Sequence, residues 1–212
     1  MSVAVAVATR DKVQLISDAA FVMPDGRIFE LRSKVNSSGR GRIAITGTGD
    51  PGAIDAIGRG MVLLAEERGY DAAIVELSRL LAAGEARDRY SVIVIGGISE
   101  TLGPTLHVVN IGPPDMGETM TPIAASQVYV GPEIGGLPAG AWLFGLDTIA
   151  ASLVDKARVT PGAPMGTPSG EPILAVGGFA EMVTIDRAGI TRQVVREWPE
   201  DKVGHKINPT AS

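Results

Sequence analysis

The chain has no cysteine, only two histidines among its 212 residues, and an aromatic content of 4%. Without cysteine there are no disulfides, no thiolate nucleophile and no cysteine-built zinc site. His107 falls in a predicted strand and His205 in a polar tail, each far from any other candidate ligand. Neither a histidine-based triad nor a metal or other cofactor is expected; the plain reading of His107 is a strand residue with a satisfied hydrogen bond. Basic runs are also missing, and the net charge is −5 with a pI near 5.1, so no nucleic-acid partner is expected. Long apolar runs are missing too. The charge-free stretches 101–114, 119–132 and 134–146 are broken by proline and glycine and fall short of the roughly 18–20 residues that span a bilayer, so no membrane partner is expected. Residues 1–9 are apolar but lack a basic leader and meet Arg10 at once, which predicts a cytoplasmic location rather than secretion.

What is present is small and aliphatic: 45% of residues are hydrophobic, dominated with glycine by Ala, Val and Ile, and the mean hydropathy is +0.20. The length suits one substantial core, predicted as a single domain over residues 1–197 followed by a polar tail, 198–212, lying over a neighbour or disordered. A chain this apolar predicts burial against copies of itself, as a homo-oligomer.

Periodicity opens clearly. Val3, Val5 and Val7 alternate with Ala4, Ala6 and Ala8, giving a strand apolar on both faces, one bulky and one small. Arg10-Asp11 turns the chain into a second strand, Lys12–Asp18, and Pro24-Asp25-Gly26-Arg27 turns a hairpin between Phe21-Val22-Met23 and Ile28–Leu31. Arg42–Thr48 is a further strand. Asp50 then reads as an N-cap and Pro51 as the first position of a helix to about Arg68, closed by Gly69. Asp71 caps a second helix with Ile74, Leu77, Leu80 and Leu81 on one face. Strands follow at Tyr90–Ile98, Pro104–Ile111 and Ile123–Val130, then a helix from Asp147 to about Arg158, a Pro/Gly-rich loop, and strands Ile173–Ile185 and onward to Glu197. Two sheets packed face to face with helices outside are expected.

The most informative chemistry is a spacing. Ser2, Asp18 and Lys34 stand sixteen positions apart. Once Met1 is removed, Ser2 is a hydroxyl nucleophile carrying its own base, since a free α-amine has a pKa of roughly 7.7–8.0. A buried lysine beside it lowers that pKa by like-charge repulsion, and an aspartate holds the lysine in place.

A hydroxyl residue heading the first strand, an Asp ending the second, a Lys on the next strand pair and a strand ending Gly47-Thr48-Gly49-Asp50 before a long helix resemble the β-type subunits of the proteasome and their bacterial relatives. These are N-terminal-nucleophile hydrolases. The resemblance implies an α+β fold, a four-layer αββα sandwich, assembled in a ring, with an unfoldase or assembly partner and a peptide substrate. It implies Ser2 as nucleophile, Asp18 and Lys34 as its partners, a backbone N–H at Gly47 or Gly49 as oxyanion donor, and Phe21, Arg32 and Asn36 with Ile45 or Thr46 bordering the substrate pocket. Where active members carry Arg-Asp-x-x-Ser-Gly, this chain has Met165-Gly166-Thr167-Pro168-Ser169-Gly170, which keeps Ser169 but puts glycine in place of Asp; Ser126 stands as the counterpart of a second serine. Two readings follow: a peptidase or amidase working through Ser2, or a non-catalytic subunit of the same fold with a structural or assembly role in a larger complex or viral particle. Gly47–Gly52 also fits a dinucleotide fingerprint, G-x-G-x-x-G, but four strands precede it and the acidic residues some 20 positions on, Glu66, Glu67 and Asp71, fall on or between helices.

Overall fold

The computed structural model describes residues 2–83, 90–112, 123–134, 145–163 and 171–209. Strands β1 (Ala4–Ala8) and β2 (Val13–Asp18) form an antiparallel hairpin at the centre of a five-stranded sheet. β10 (Gln127–Val130) flanks β1, and β11 (Phe179–Ile185) with β12 (Ile190–Glu197) flanks β2. A second five-stranded sheet runs β5 (Asn36–Ser38), β6 (Ile43–Thr48), β7 (Ser91–Ser99), β8 (Gly103–Ile111) and β9 (Ile123–Ala125). The hairpin of β3 (Ala20–Val22) and β4 (Ile28–Leu31) stands apart as a two-stranded sheet.

The valine–alanine alternation of β1 sets the layers. Ala4 and Ala6 face the second sheet, where with Val13 and Leu15 they meet Ala44, Val94 and Leu106; the small side chains let the sheets approach. Val3, Val5 and Val7 face the other way, onto Leu153, Val154 and Ala157 of α3 (Ala150–Val159) and onto Trp198. The outer face of the second sheet, Ile43, Ile45, Ile93 and Ile95, is covered by Ile54 and Met61 of α1 (Pro51–Arg68) and Leu77 of α2 (Tyr70–Ala83).

The expected α+β, four-layer αββα sandwich is corrected by this arrangement. Antiparallel β-structure predominates, with twelve strands in three sheets against three helices among the described residues. Among the described residues, two helices cover one outer face, whereas the other carries the ten-residue α3 with Trp198 packed beside it.

Local expectations fare unevenly. α1 keeps its predicted bounds: Asp50 Oδ1 accepts from Gly52 and Ala53, and Gly69 closes it. α2 starts at Tyr70, two residues before the start that an Asp71 cap implies, because the Glu100 carboxylate takes the N–H groups of Tyr70 and Asp71 at 2.9 and 2.8 Å and Asp71 falls inside the first turn; its buried face is Tyr70, Ala73, Leu77 and Leu81, and Leu80 is exposed. Asp147 caps nothing, being held by Lys12 and Gln14. The predicted strand over Ile123–Val130 divides at Ser126 into β9 and β10, which belong to different sheets. Residues 173–178 lie outside the strand expected there. The tail folds back onto its own domain, burying Trp198, Asp201 and Ile207. No helix among the described residues is long and apolar enough to cross a membrane.

Candidate active site

Antiparallel pairing explains the sixteen-position spacing. With Ala4 opposite Ser17, the returning strand delivers Asp18 beside the head of β1, where the Val3 N–H donates to Asp18 Oδ1 at 3.1 Å. The hairpin β3–β4 then brings the chain back, and Lys34 comes to lie over the same carboxylate. Its Nζ is 3.0 and 2.9 Å from Asp18 Oδ1 and Oδ2, 2.5 Å from the Ala20 carbonyl and 2.7 Å from Ser2 Oγ. Three protons of an ammonium match three acceptors: Asp18, Ala20 and Ser2. Asp18 Oδ2 also accepts backbone N–H groups from Ala20 at 3.1 Å and Gly177 at 3.3 Å.

Asp18 and Lys34 are buried, at 1% and 5% exposure, whereas Ser2 is partly open. Burial pushes the Lys34 pKa below the usual lysine value; Asp18 opposes that shift, and the Arg32 guanidinium adds to it. The Phe21 ring stands 5.0 Å from Nζ and closes the site on one side. A lysine so placed gives up its proton at a lower pH than a solvated one, and it stands in contact with a hydroxyl.

The Ser2–Lys34 pair opens on a small cleft walled by Phe21, Val22 and Phe29 of the hairpin, by Gly47, Thr48 and Gly49 at the end of β6, and by Pro51, Ile54 and Asp55 of α1. Gly47 and Gly49 are fixed as glycines. A Cβ on Gly47 would lie 2.4 Å from the Val92 carbonyl; Gly49 has φ +123° and would meet the Tyr90 carbonyl at 2.3 Å. Thr48 is 1% exposed and its Oγ1 has no hydrogen-bond partner among the described residues, an orphaned polar atom at the wall of a cleft.

Of the predicted residues, the structure brings together Ser2, Asp18, Lys34, Gly47, Gly49 and Phe21. Arg32 takes a supporting place, holding Asp55 at 2.6 Å and lying 4.3 Å over the Phe21 ring. Three expected pocket residues are elsewhere. The Asn36 amide packs against α1 at Gly58, Ile45 is fully buried beneath the helices, and Thr46 is fully buried between the sheets. β6 is covered on both faces, and only its last residues reach the cleft. Ser126 pairs beside Ala8, roughly 20 Å along β1 from Ser2 at about 3.4 Å per residue. Ser169 and Met1 lie outside the described residues.

Sequence reasoning missed the Ala20 carbonyl and the Gly177 N–H, which act through backbone atoms that no side-chain pattern reveals. It also missed Phe29, which has a readable signal: it lies across the hairpin from Phe21, ring centroids 5.8 Å apart. Among the described residues no group of three His, Asp or Glu side chains is placed to hold a metal ion.

Neither protein-family models nor curated proteins match the chain. The functional reading therefore rests on the geometry of the site.

Proposed function

We propose that the protein is an N-terminal-nucleophile hydrolase, of the kind the proteasome's β-type subunits exemplify, cleaving peptide or amide bonds with Ser2 after removal of Met1. The observation that carries this reading is the 2.7 Å approach of Lys34 Nζ to Ser2 Oγ, with Asp18 behind the lysine and a cleft in front of the serine.

Ser2 Oγ attacks the substrate carbonyl carbon. The C–O bond forms, the carbonyl π pair moves to oxygen, and the hydroxyl proton passes to the α-amine of Ser2. Lys34 favours the unprotonated amine by its charge, and Asp18 keeps Lys34 in position. The oxyanion faces the Gly47–Gly49 turn, beside the positive end of α1. Collapse breaks the C–N bond, with the amine's proton going to the leaving nitrogen and an ester left on Ser2. Water then attacks the ester with the amine taking its proton, and collapse breaks the Oγ–C bond as that proton passes to Ser2 Oγ, releasing the acid and restoring the hydroxyl and free amine.

The cleft walls favour a substrate with an apolar side chain next to the scissile bond. On this reading the chain works as a homo-oligomeric ring fed by an unfoldase, and the exposed Leu63, Val75 and Leu80 of α1 and α2 offer apolar contact area. The test is intact mass before and after treatment with a peptide epoxyketone, which needs a hydroxyl and its adjacent free amine. Loss of Met1 and one adduct, absent in Ser2→Ala, is the expected result. Retained Met1 with no adduct overturns the reading in favour of a non-catalytic structural subunit.

A further inference from the structure

Two adjacent glycines tie the site to the last segment of the chain. The Gly177 N–H donates to Asp18 Oδ2 at 3.3 Å, and the next N–H, of Gly178, donates to Asp201 Oδ2 at 2.7 Å. Consecutive amides thus end on two carboxylates, one beneath Lys34 and one from the folded-back tail. Their carbonyls are held as well: Gly177 O accepts from Ala19 at 3.2 Å and Gly178 O from Trp198 at 2.9 Å. A Cβ on Gly177 would lie 2.4 Å from Asp201 Oδ2, so the backbone rests directly on that carboxylate.

Asp201 is itself immobilised. Its side chain is 1% exposed and meets Arg158 through two parallel bonds, Nη1 to Oδ2 at 2.7 Å and Nη2 to Oδ1 at 3.0 Å. Arg158 also holds the Val176 carbonyl at 3.2 Å and Glu200 Oε1 at 2.9 Å, and it lies 4.7 Å from the Trp198 ring. The guanidinium grips both the residue before Gly177 and the carboxylate that receives Gly178.

We propose that Asp201 is a positioning residue of the active site: clamped by Arg158, it fixes the Gly177–Gly178 backbone so that the Gly177 N–H completes the donor set on Asp18 and sets the charge Asp18 presents to Lys34. This rests on the reading of Ser2, Lys34 and Asp18 as the catalytic group. Among the described residues, the charged groups around Lys34 are Asp18 from β2 and Arg32 from the segment after β4, with Arg32 itself paired to Glu30 and to Asp55 of α1, joined on the hydrolase reading by the free α-amine of Ser2. Of these, only Asp18 touches the glycine pair. Losing the Gly177 donor leaves the Asp18 carboxylate less neutralised, so it holds the Lys34 proton more tightly.

The experiment uses the full chain with ¹³Cε-labelled lysine. Five lysines are to be resolved by NMR, with Lys34 assigned by its loss in Lys34→Arg. Asp201→Asn is expected to move the Lys34 titration midpoint up by about half a pH unit or more, leaving the other lysines in place, and to slow epoxyketone adduct formation about tenfold. Leu153→Ala, which loosens α3 packing without touching the glycines, is expected to lower the melting temperature and leave the midpoint unmoved. If Asp201→Asn does not fold, the double variant Arg158→Met/Asp201→Asn removes the orphaned guanidinium and gives the same reading. A midpoint equal to wild type in the folded variant, with only the melting temperature lowered, overturns the positioning role. Absence of any adduct in the wild type instead overturns the hydrolase reading, while the Lys34 shift still reports on Asp201.

Discussion

Two buried cation–carboxylate pairs lie on either side of Gly177–Gly178, and they are built for opposite ends. Arg158–Asp201 is enclosed: the guanidinium is shared among two carboxylates, a carbonyl and an indole, and an arginine cannot give up its proton in a protein. Lys34–Asp18 is equally dry, but its cation is titratable, its pKa is depressed by burial, and it also contacts the Ser2 hydroxyl at the mouth of a cleft. A buried charge pair by itself is weak evidence of function. On the hydrolase reading, the difference between a walled-off arginine and a lysine facing a hydroxyl is what separates scaffold from chemistry.

The comparison breaks most visibly in reactivity. Ser2→Ala is expected to abolish the epoxyketone adduct, and Lys34→Ala to slow its formation by about 10²–10⁴-fold, as read by mass spectrometry over time. Leu153→Ala should react at close to the wild-type rate. If Lys34→Ala also reacts like wild type, the two pairs are equally structural.

In stability the order reverses. Arg158→Ala leaves Asp201 with the Gly178 N–H as its remaining donor among the described contacts and should cost about 3–5 kcal/mol in urea unfolding. Lys34→Met leaves Asp18 with three backbone donors, from Val3, Ala20 and Gly177, and should cost only about 1–2 kcal/mol. Equal losses would show that the backbone donors on Asp18 carry little.

The pairs also part in pH dependence. The folded pKa of Lys34 lies below 10.5, so between that lowered value and 10.5 the unfolded chain binds a proton that the folded one does not. Stability from this group therefore rises with pH through that window, and is lost as pH falls through the lowered value. Urea midpoints of wild type should climb relative to Lys34→Met over the same range.

The smallest effect concerns the neighbouring hydroxyls. Thr46 Oγ1 and Thr48 Oγ1 are both buried and unpartnered among the described residues, but only Thr48 borders the cleft. Thr46→Val should raise stability by about 1 kcal/mol with unchanged reactivity, whereas Thr48→Val should do the same and alter adduct formation.

Much of this site is legible in the amino-acid sequence. The Ser2–Asp18–Lys34 spacing is informative because an antiparallel hairpin maps sequence separation directly onto proximity, and the Asp50-Pro51 start of α1 is local chemistry. Expectation and structure part where distant contacts override local pattern. Asp147 has the profile of a cap, but Lys12 and Gln14 claim it from 135 and 133 residues away. Ile123–Val130 reads as one strand because side-chain alternation carries no record of which sheet each half joins. Ile45 and Thr46 sit on the strand that leads to the cleft, yet β6 is covered on both faces, a fact set by the opposing sheet and by α1. The polarity of residues 198–209 suits solvent, and residues 202–206 are indeed exposed, but the Glu200 and Asp201 carboxylates are taken by Arg158 and the Gly178 N–H, and the backbone of Gly204 and His205 pairs with Ile28.

The strand order of the first sheet also has a consequence for biogenesis. β2, which ends in Asp18, lies between β1 and β11, and the Gly177 amide that completes its carboxylate is encoded 159 residues downstream. At synthesis rates of about 5–20 residues per second, Asp18 emerges roughly 8–30 s before that partner exists. During this interval β2 presents a bare edge and Ser2 lacks its finished surroundings. The site is thus made early and completed late. On the hydrolase reading, a growing chain acquires its full catalytic group only once its fold has closed.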